Sequence, residues 1–417
     1  MSTRGVRPLL AVMYNFGAAG AAEILSSARG VCDVAFVCDR GNAYVAERID
    51  ALREYATVCD VTGRAPEEVS ELVAALRPNG VMTFSESQLA LTAQVATVCG
   101  LPFHNLDTVD ALTDKYAQRQ LLAEAGIDAT RCRTVRDAAG VCAAVYDVGL
   151  PAVIKPRRGA ASRHTYRVTT VDEAVAALQG ATRGVRPPRP EFVVEELLVG
   201  DPAQAGDFWA DHVSVESLVV DSVVHPICVT GKFALAEPFR ETGQFAPATL
   251  RPELAQEVHE LAARAARALG VRLGATHTEL KLTATGPRII EINGRLGGNV
   301  NYVVSRSLGF DLLRATIDVA LGAVPQIPVL CHRQLVYQRY LAPPARRTTL
   351  LALGGLDGLR ALAGVRFVEE RVKPGKELDW RRGTEECLAV VYGEAADHED
   401  LKSTVASIDS IFAPAYA

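Results

Sequence analysis

No two of the nine cysteines in this 417-residue chain form a Cys-x-x-Cys pair, and their spacing is irregular. That excludes a disulfide framework and reads as reduced, mostly buried thiols of a cytoplasmic protein. Neither sign of charge dominates: the formal net charge is −5, which leaves no electrostatic footprint for nucleic acid or an anionic membrane. No apolar stretch approaches the length of a membrane span. The run Leu9 to Met13 follows Arg4 and Arg7 but stops at Tyr14-Asn15, too short for a secretory signal. No Gly-Lys-Ser/Thr opens a helix as in a Walker A loop. Phe16-Gly17-Ala18-Ala19-Gly20 lacks the three-glycine dinucleotide spacing, so a tight strand-to-helix turn is expected there.

What is present is enough apolar residue, 49% of the chain, to build sizeable cores. The length exceeds the roughly 250–300 residues at which single cores stop growing, so two or three domains are expected. Leu9 to Met13, Val34 to Cys38 and Gly80 to Thr83 read as buried parallel strands. Helical patterns near Ala19 to Ser27, Ala43 to Tyr55 and Ala65 to Leu76 separate them. That predicts an α/β unit over residues 1–105.

The stretch Gly274 to Asn301 predicts a hairpin: strands His277 to Leu282 and Arg288 to Asn293 around Thr285-Gly286-Pro287. A register symmetric about Thr285 sets Glu279 opposite Glu291 and His277 opposite Asn293. Period two then puts His277, Glu279, Lys281, Ile289, Glu291 and Asn293 on one face, with Leu280, Leu282, Ile290 and Ile292 on the other. Opposed carboxylates, with Cβ atoms roughly 4.5–5.5 Å apart, repel. A raised pKa, Lys281 or Arg295 could offset this, but a divalent cation does it best. Mg²⁺ takes oxygen ligands and bridges one or two carboxylates to phosphates. Asn293 adds a neutral oxygen, Arg295 could clamp an anion, and Gly297 and Gly298 allow close backbone approach. An ordinary solvated hairpin is the alternative reading of these charges.

Upstream, Asp114 precedes a helix Lys115 to Ala125 ended by Gly126. A lysine at a helix N-terminus is unfavourable unless an anion lies nearby. Pro151 to Pro156 is a short buried strand ending in Lys155; Gly159, Ala160, Ala161 and Ser162 follow as a small-residue loop, and Thr165 to Thr169 as the returning strand. A strand-end lysine beside such a loop suits phosphates, although alone it would more often guard a sheet edge. The strand Glu191 to Val194 runs into the connector Glu195-Glu196-Leu197-Leu198, whose free backbone groups beside apolar side chains could grip the edge of an adenine.

In this order and spacing, Lys115, Val-Ile-Lys155-Pro, the 159–162 loop, Glu195-Glu196-Leu-Leu and Glu279…Glu291-Ile-Asn293-Gly-Arg295 resemble the ATP-grasp superfamily over residues 105–325. His277-Thr-Glu279, Glu241-Thr-Gly243 and the C-terminal region resemble its amino-acid ligase and carnosine-synthase-like branch. The resemblance implies an α/β and α+β chain. Its parts are a Rossmann-like N-terminal domain (1–105), a connecting helical segment (106–130), a lid (131–195), a catalytic subdomain (196–330) and a C-terminal subdomain (331–417).

It further implies that Lys115, Lys155 and Lys232 contact ATP phosphates under the 159–162 loop, while Glu195, Glu196 and Leu198 line the adenine site. Glu279, Glu291 and Asn293 would hold Mg²⁺, two ions with Mn²⁺ able to substitute. Arg295 would steady an acyl phosphate or substrate carboxylate. Glu241, His277, Gly297 and Gly298 fall on the substrate side, and Glu216 is a candidate base for the amine, or an exposed strand charge. For the ribose the choice among Asp201, Asp207 and Asp211 stays open.

The activity implied is ADP-forming carboxylate–amine ligation of an amino acid through an acyl phosphate. Loading an aminoacyl group onto a carrier-protein thiol, and nucleotide binding without turnover, are the alternatives. Amino acids as small-molecule substrates, a carrier protein and a second copy of the chain are the candidate partners. From about Leu335, strands Val336 to Leu341, Arg366 to Val372 and Leu388 to Tyr392 and a helix Glu399 to Ser407 are expected to pack on this core, with solvated arginine pairs at 346 and 381.

Overall fold

The computed structural model describes residues 7–206 and 208–417; Arg4 and Asp207 lie outside them. Among the described residues, no helix is long and apolar enough to cross a membrane. Four parallel strands form the N-terminal sheet, in the order Thr57–Asp60, Asp33–Cys38, Leu9–Met13, Gly80–Met82. Ala11 and Met13 face the helices Pro66–Ala75 and Leu89–Cys99. Leu10 and Val12 face the helices Val300–Leu308 and Leu312–Ala320, which follow the acidic hairpin in sequence. Alternation along one short strand therefore joins the N-terminal unit to the segment that carries the acids.

Two differences from the sequence reading stand out here. The edge strand Thr57–Asp60 is exposed at both ends and half-buried between, with too little apolar pattern to be read as a strand. The expected helix Ala43 to Tyr55 is two short ones, Ala43–Ala46 and Ile49–Leu52, broken where the Arg48 guanidinium folds back over the Tyr44 ring.

The second sheet is antiparallel, in the order Cys132–Val135, Phe192–Glu196, Ala152–Pro156, Tyr166–Val168. Helices Ala138–Val148 and Val171–Thr182 cover it around Ile154, Val194, Val141 and Leu178. The largest sheet has eight strands, in the order Gly286–Asn293, Gly274–Thr283, Trp209–Val220, Val223–Phe233, Gly243–Ala246, Leu335–Leu341, Ala389–Ala395, Val365–Glu370. Its last three strands come from beyond residue 331, so this part of the chain extends the sheet through the pairing of Gly243–Ala246 with Leu335–Leu341 instead of only packing on it. A small third antiparallel sheet, Glu377–Leu378, Thr348–Gly354, Ala413–Tyr416, closes the C-terminal end.

The hairpin register pairs His277 with Asn293 and Glu279 with Glu291, as the symmetric reading has it, but a bulge follows. Leu280 pairs with Ile289 and Lys281 with Arg288, so Ile290 is the extra residue and the turn falls at Ala284-Thr285. Ile289 consequently joins Leu280, Leu282 and Ile292 in the core while Ile290 is only half-buried, reversing the two assignments made from strict alternation.

Candidate functional site

The hairpin strand Gly286–Asn293 is an edge of the large sheet, and its outward backbone groups are satisfied by side chains of the segment Lys115–Thr130. Gln118 donates to the Ile292 carbonyl and accepts from the Ile292 N–H, both at 2.9 Å. Arg119 donates to the carbonyls of Ile289 and Ile290 at 2.7 Å each, and Asp128 accepts from the Ile289 N–H at 2.9 Å. A buried edge with open donors and acceptors is costly; here the bulge is held by one guanidinium and one carboxylate. The helix Lys115–Glu124 is itself started by Asp114, whose side chain caps Tyr116 and Ala117.

That placement resolves the unfavourable lysine. The Lys115 ammonium lies 2.8 Å from the Glu291 carboxylate and donates to the Gly159 carbonyl. Burial would lower its pKa, but Glu291 and Glu86 outweigh this and hold it above the ordinary lysine range. Lys155 is buried beside Glu195 at 2.7 Å, and Arg119 contacts the same carboxylate at 3.1 and 3.2 Å. Burial pushes the Glu195 pKa up, yet Arg119 and Lys155 bring it down to about 2. The Glu195 side chain is thus committed to two cations and positions them. Glu196 pairs with Arg131 at 2.8 Å and Arg288 at 3.3 Å, and Leu198 sits half-buried in the connector beyond.

On the acid face each carboxylate has its own cation. Glu291 has Lys115; Glu279 has His277, whose Nε2 is 3.3 Å away. The other ring nitrogen, Nδ1, lies 2.5 Å from Glu216, which is wholly buried. Burial lowers the His277 pKa, but Glu216 and Glu279 raise it to about 9, so the ring is an imidazolium donating from both nitrogens. Burial raises the pKa of Glu279 and of Glu216, and His277 overrides it in both, leaving them below the usual carboxylate range. Neither cation anticipated from sequence plays this part: Lys281 pairs with Asp211 at 2.5 Å and Arg295 with Glu86 at 3.2 Å. The raised carboxylate also fails for Glu279, whose shift is downward.

Glu216 corrects a second expectation. Besides His277 it accepts from the Gly297 N–H at 3.2 Å and lies 3.3 Å from the Ser214 hydroxyl. Sealed among these groups, it cannot be reached by an amine and acts as a positioning residue. It is also not an exposed strand charge. Gly297 shows why glycine stands there: a Cβ would come 2.6 Å from His277 Nδ1 and 3.2 Å from Glu216. Gly298 is exposed, and its carbonyl accepts from Gln244 at 3.0 Å. Lys232 is buried 3.1 Å from both Glu241 and Gln244. Of the ribose candidates, Asp201 caps the short helix Pro202–Ala205 and Asp211 serves Lys281.

The donor set also tests the metal. Among the described residues, no group of three His, Cys, Asp or Glu side chains could hold an ion by itself. Glu279, Glu291 and Asn293, whose Oδ1 accepts from Arg295 at 3.2 Å, are oxygen donors of the kind Mg²⁺ takes. They fit an ion that arrives with phosphate ligands rather than a resident metal.

Sequence reasoning missed Glu86, Arg119, Asp128 and Gln118. Arg119 had a signal, since it is four residues after Lys115 on the same helix face. Glu86 had none: it follows a strand of the N-terminal sheet, and only packing between units brings it to Arg295. A cavity of about 950 Å³ on the N-terminal unit, lined by residues such as Tyr14, Leu25, Tyr44 and Tyr55, shares no residue with the acid face.

One lysine thus ties an edge hairpin carrying paired acids to a small-residue loop of the antiparallel four-stranded sheet. Residues 148–302 match the family described as ATP-grasp domain. It is 25% identical over 61% of its length to the alanine–anticapsin ligase of Bacillus subtilis and spans 56% of that protein. It is 28% identical over 74% of its length to carnosine synthase 1 of Homo sapiens, spanning 39% of it. The crystal structure of an L-amino acid ligase from Bacillus licheniformis superposes with a TM-score of 0.79 at 20% identity, each chain covered in full.

Proposed function

We propose that the chain is an ADP-forming carboxylate–amine ligase, acting in the cytoplasm, that uses ATP to activate a carboxylate and joins it to an amine, with an amino acid as one substrate. The observation that carries this is the Lys115 ammonium, which joins Glu291 of the acid face to Gly159 of the loop between the lid strands. The relatives named as an alanine–anticapsin ligase and a carnosine synthase, and the neighbour named as an L-amino acid ligase, support the amino acid.

A carboxylate is a poor electrophile. Its oxygen attacks the γ-phosphorus of ATP, the bond to the bridging oxygen breaks, and ADP leaves. The neutral amine nitrogen then attacks the acyl carbon, the acyl carbon–oxygen bond breaks, and phosphate leaves with the proton the nitrogen gives up. Lys115, Lys155 and Lys232 supply fixed positive charge to the phosphates, so that no solvent need reorganise as charge shifts. Mg²⁺, held by Glu279, Glu291 and Asn293 as one or two ions and replaceable by Mn²⁺, would neutralise the phosphate oxygens. Arg295, paired with Glu86, offers a guanidinium to a carboxylate or acyl phosphate, with His277, Glu241, Gly297 and Gly298 around the substrates. The Gly159–Ser162 loop excludes water from the activated carboxylate.

Incubation with ATP, Mg²⁺ and pools of amino acids, followed by phosphate assay and mass spectrometry, tests this. ADP, phosphate and an amide are expected. AMP and pyrophosphate would overturn the reading, and phosphate release that requires a carrier protein would replace the amine by a thiol.

A further inference from the structure

The loop between the lid strands is gripped from a part of the chain more than two hundred residues away. The segment Trp380–Glu386 lies against it. The Thr384 N–H donates to the Ala161 carbonyl at 2.9 Å, and the His164 N–H donates to the Arg381 carbonyl at 3.0 Å. Arg163 pairs with Glu385 at 2.5 Å, and the Trp380 ring meets Tyr166 edge to face at 6.0 Å. Contact is closest at Gly383: with φ of +68°, it sits where a Cβ would be 1.9 Å from the Ala161 carbonyl oxygen. Asp379, which accepts from the Arg381 N–H and receives Arg347 and Arg381 side chains, anchors the start of the segment.

The loop itself needs such support. Gly159, Ala161, Ser162 and His164 all have positive φ, three of them without the freedom of glycine. Its root is fixed by Arg157 and Arg158 on Asp114, and its first glycine by Lys115. Trp380–Glu386 holds its far side through two backbone hydrogen bonds.

We propose that Trp380–Glu386 is a strap that sets the closed position of the 159–164 loop, with Gly383 and Glu385 as positioning residues, so that nucleotide enclosure depends on the C-terminal region. This rests on reading the loop as the cover over the phosphates.

The test uses the full chain carrying Gly383→Ala or, should that fail to fold, Glu385→Gln, compared with wild type by thermal melting and by trypsin cleavage at Arg158 and Arg163. Cleavage about tenfold faster in Gly383→Ala, the loss of roughly one net hydrogen bond, is expected, with a smaller rise in Glu385→Gln and little change in melting temperature. With amino acids present, the variants should show a higher KM for ATP and more phosphate released per amide formed, at nearly unchanged kcat. Unchanged cleavage and coupling in folded variants would overturn the strap. Faster cleavage in the variants without ATP-Mg²⁺ protection of the wild type would uphold the strap and overturn the phosphate assignment instead.

Discussion

Two buried lysines mark the two halves of this site, and their surroundings differ in how acids and cations are shared. At Lys155, two cations, Lys155 and Arg119, share the single carboxylate of Glu195. At Lys115, the acids Glu291 and Glu86 both act on one ammonium. On the lid side two cations thus share one acid, which suits phosphate oxygens, while on the hairpin side Lys115 serves Glu291, Arg295 serves Glu86 and His277 serves Glu279, so each acid has a cation beside it. A site that binds a metal–nucleotide complex needs both signs kept apart. Here that is achieved by giving each half its own internal pairing rather than one shared network.

The comparison breaks most visibly at Arg119. Arg119→Met leaves Glu195 with Lys155 alone and the bulge carbonyls without a donor; removing one partner of a buried ion pair costs about 3–5 kcal/mol, which urea denaturation should read as a lower midpoint. Lys155→Met should cost less stability, since Arg119 still holds Glu195, and more activity. An equal stability loss in both would mean that the lid side has no division between structural and phosphate-facing cations.

On the other half, Glu291→Gln is expected to lower ADP formation by about 10²–10³-fold, the scale of losing one preorganised electrostatic contact, while the protein stays folded. Retained turnover would remove the metal assignment. Smaller in scale is the pH response of His277. Because its folded pKa is raised to about 9, its linkage contribution to stability is full below the unfolded value of about 6.5. That contribution is lost as pH rises through about 9. Activity should fall over the same alkaline window, and His277→Gln should lose that limb of the profile; a profile unchanged by the substitution would show that the imidazolium is not needed. Smallest of all, Arg158→Gln removes a half-exposed partner of Asp110 and Asp114, and should change stability by less than about 1 kcal/mol in a thermal melt.

Much of the site was legible because its residues lie on elements with strong periodic patterns. The pairing of Glu279 with Glu291 needs only a symmetric hairpin, and the anion beside Lys115 follows from the cost of a cation at a helix start. Legibility ended where a single backbone irregularity intervened: one extra residue in the bulge exchanged Ile289 for Ile290 in the core, and nothing in the local composition announces it. It ended too where the contact is between distant segments, as with Glu86 on Arg295 or Gly383 on Ala161.

Local pattern in the amino acids determined the strands, the capped helix and the side chains that carry charge, because these depend on neighbours a few residues apart. The folded chain alone decided which cation meets which acid, that Glu216 is sealed away, and that residues beyond 331 both complete the large sheet and reach the loop of the lid. Those outcomes depend on burial and on the meeting of segments far apart in sequence, where desolvation makes each unpaired charge costly and so selects its partner.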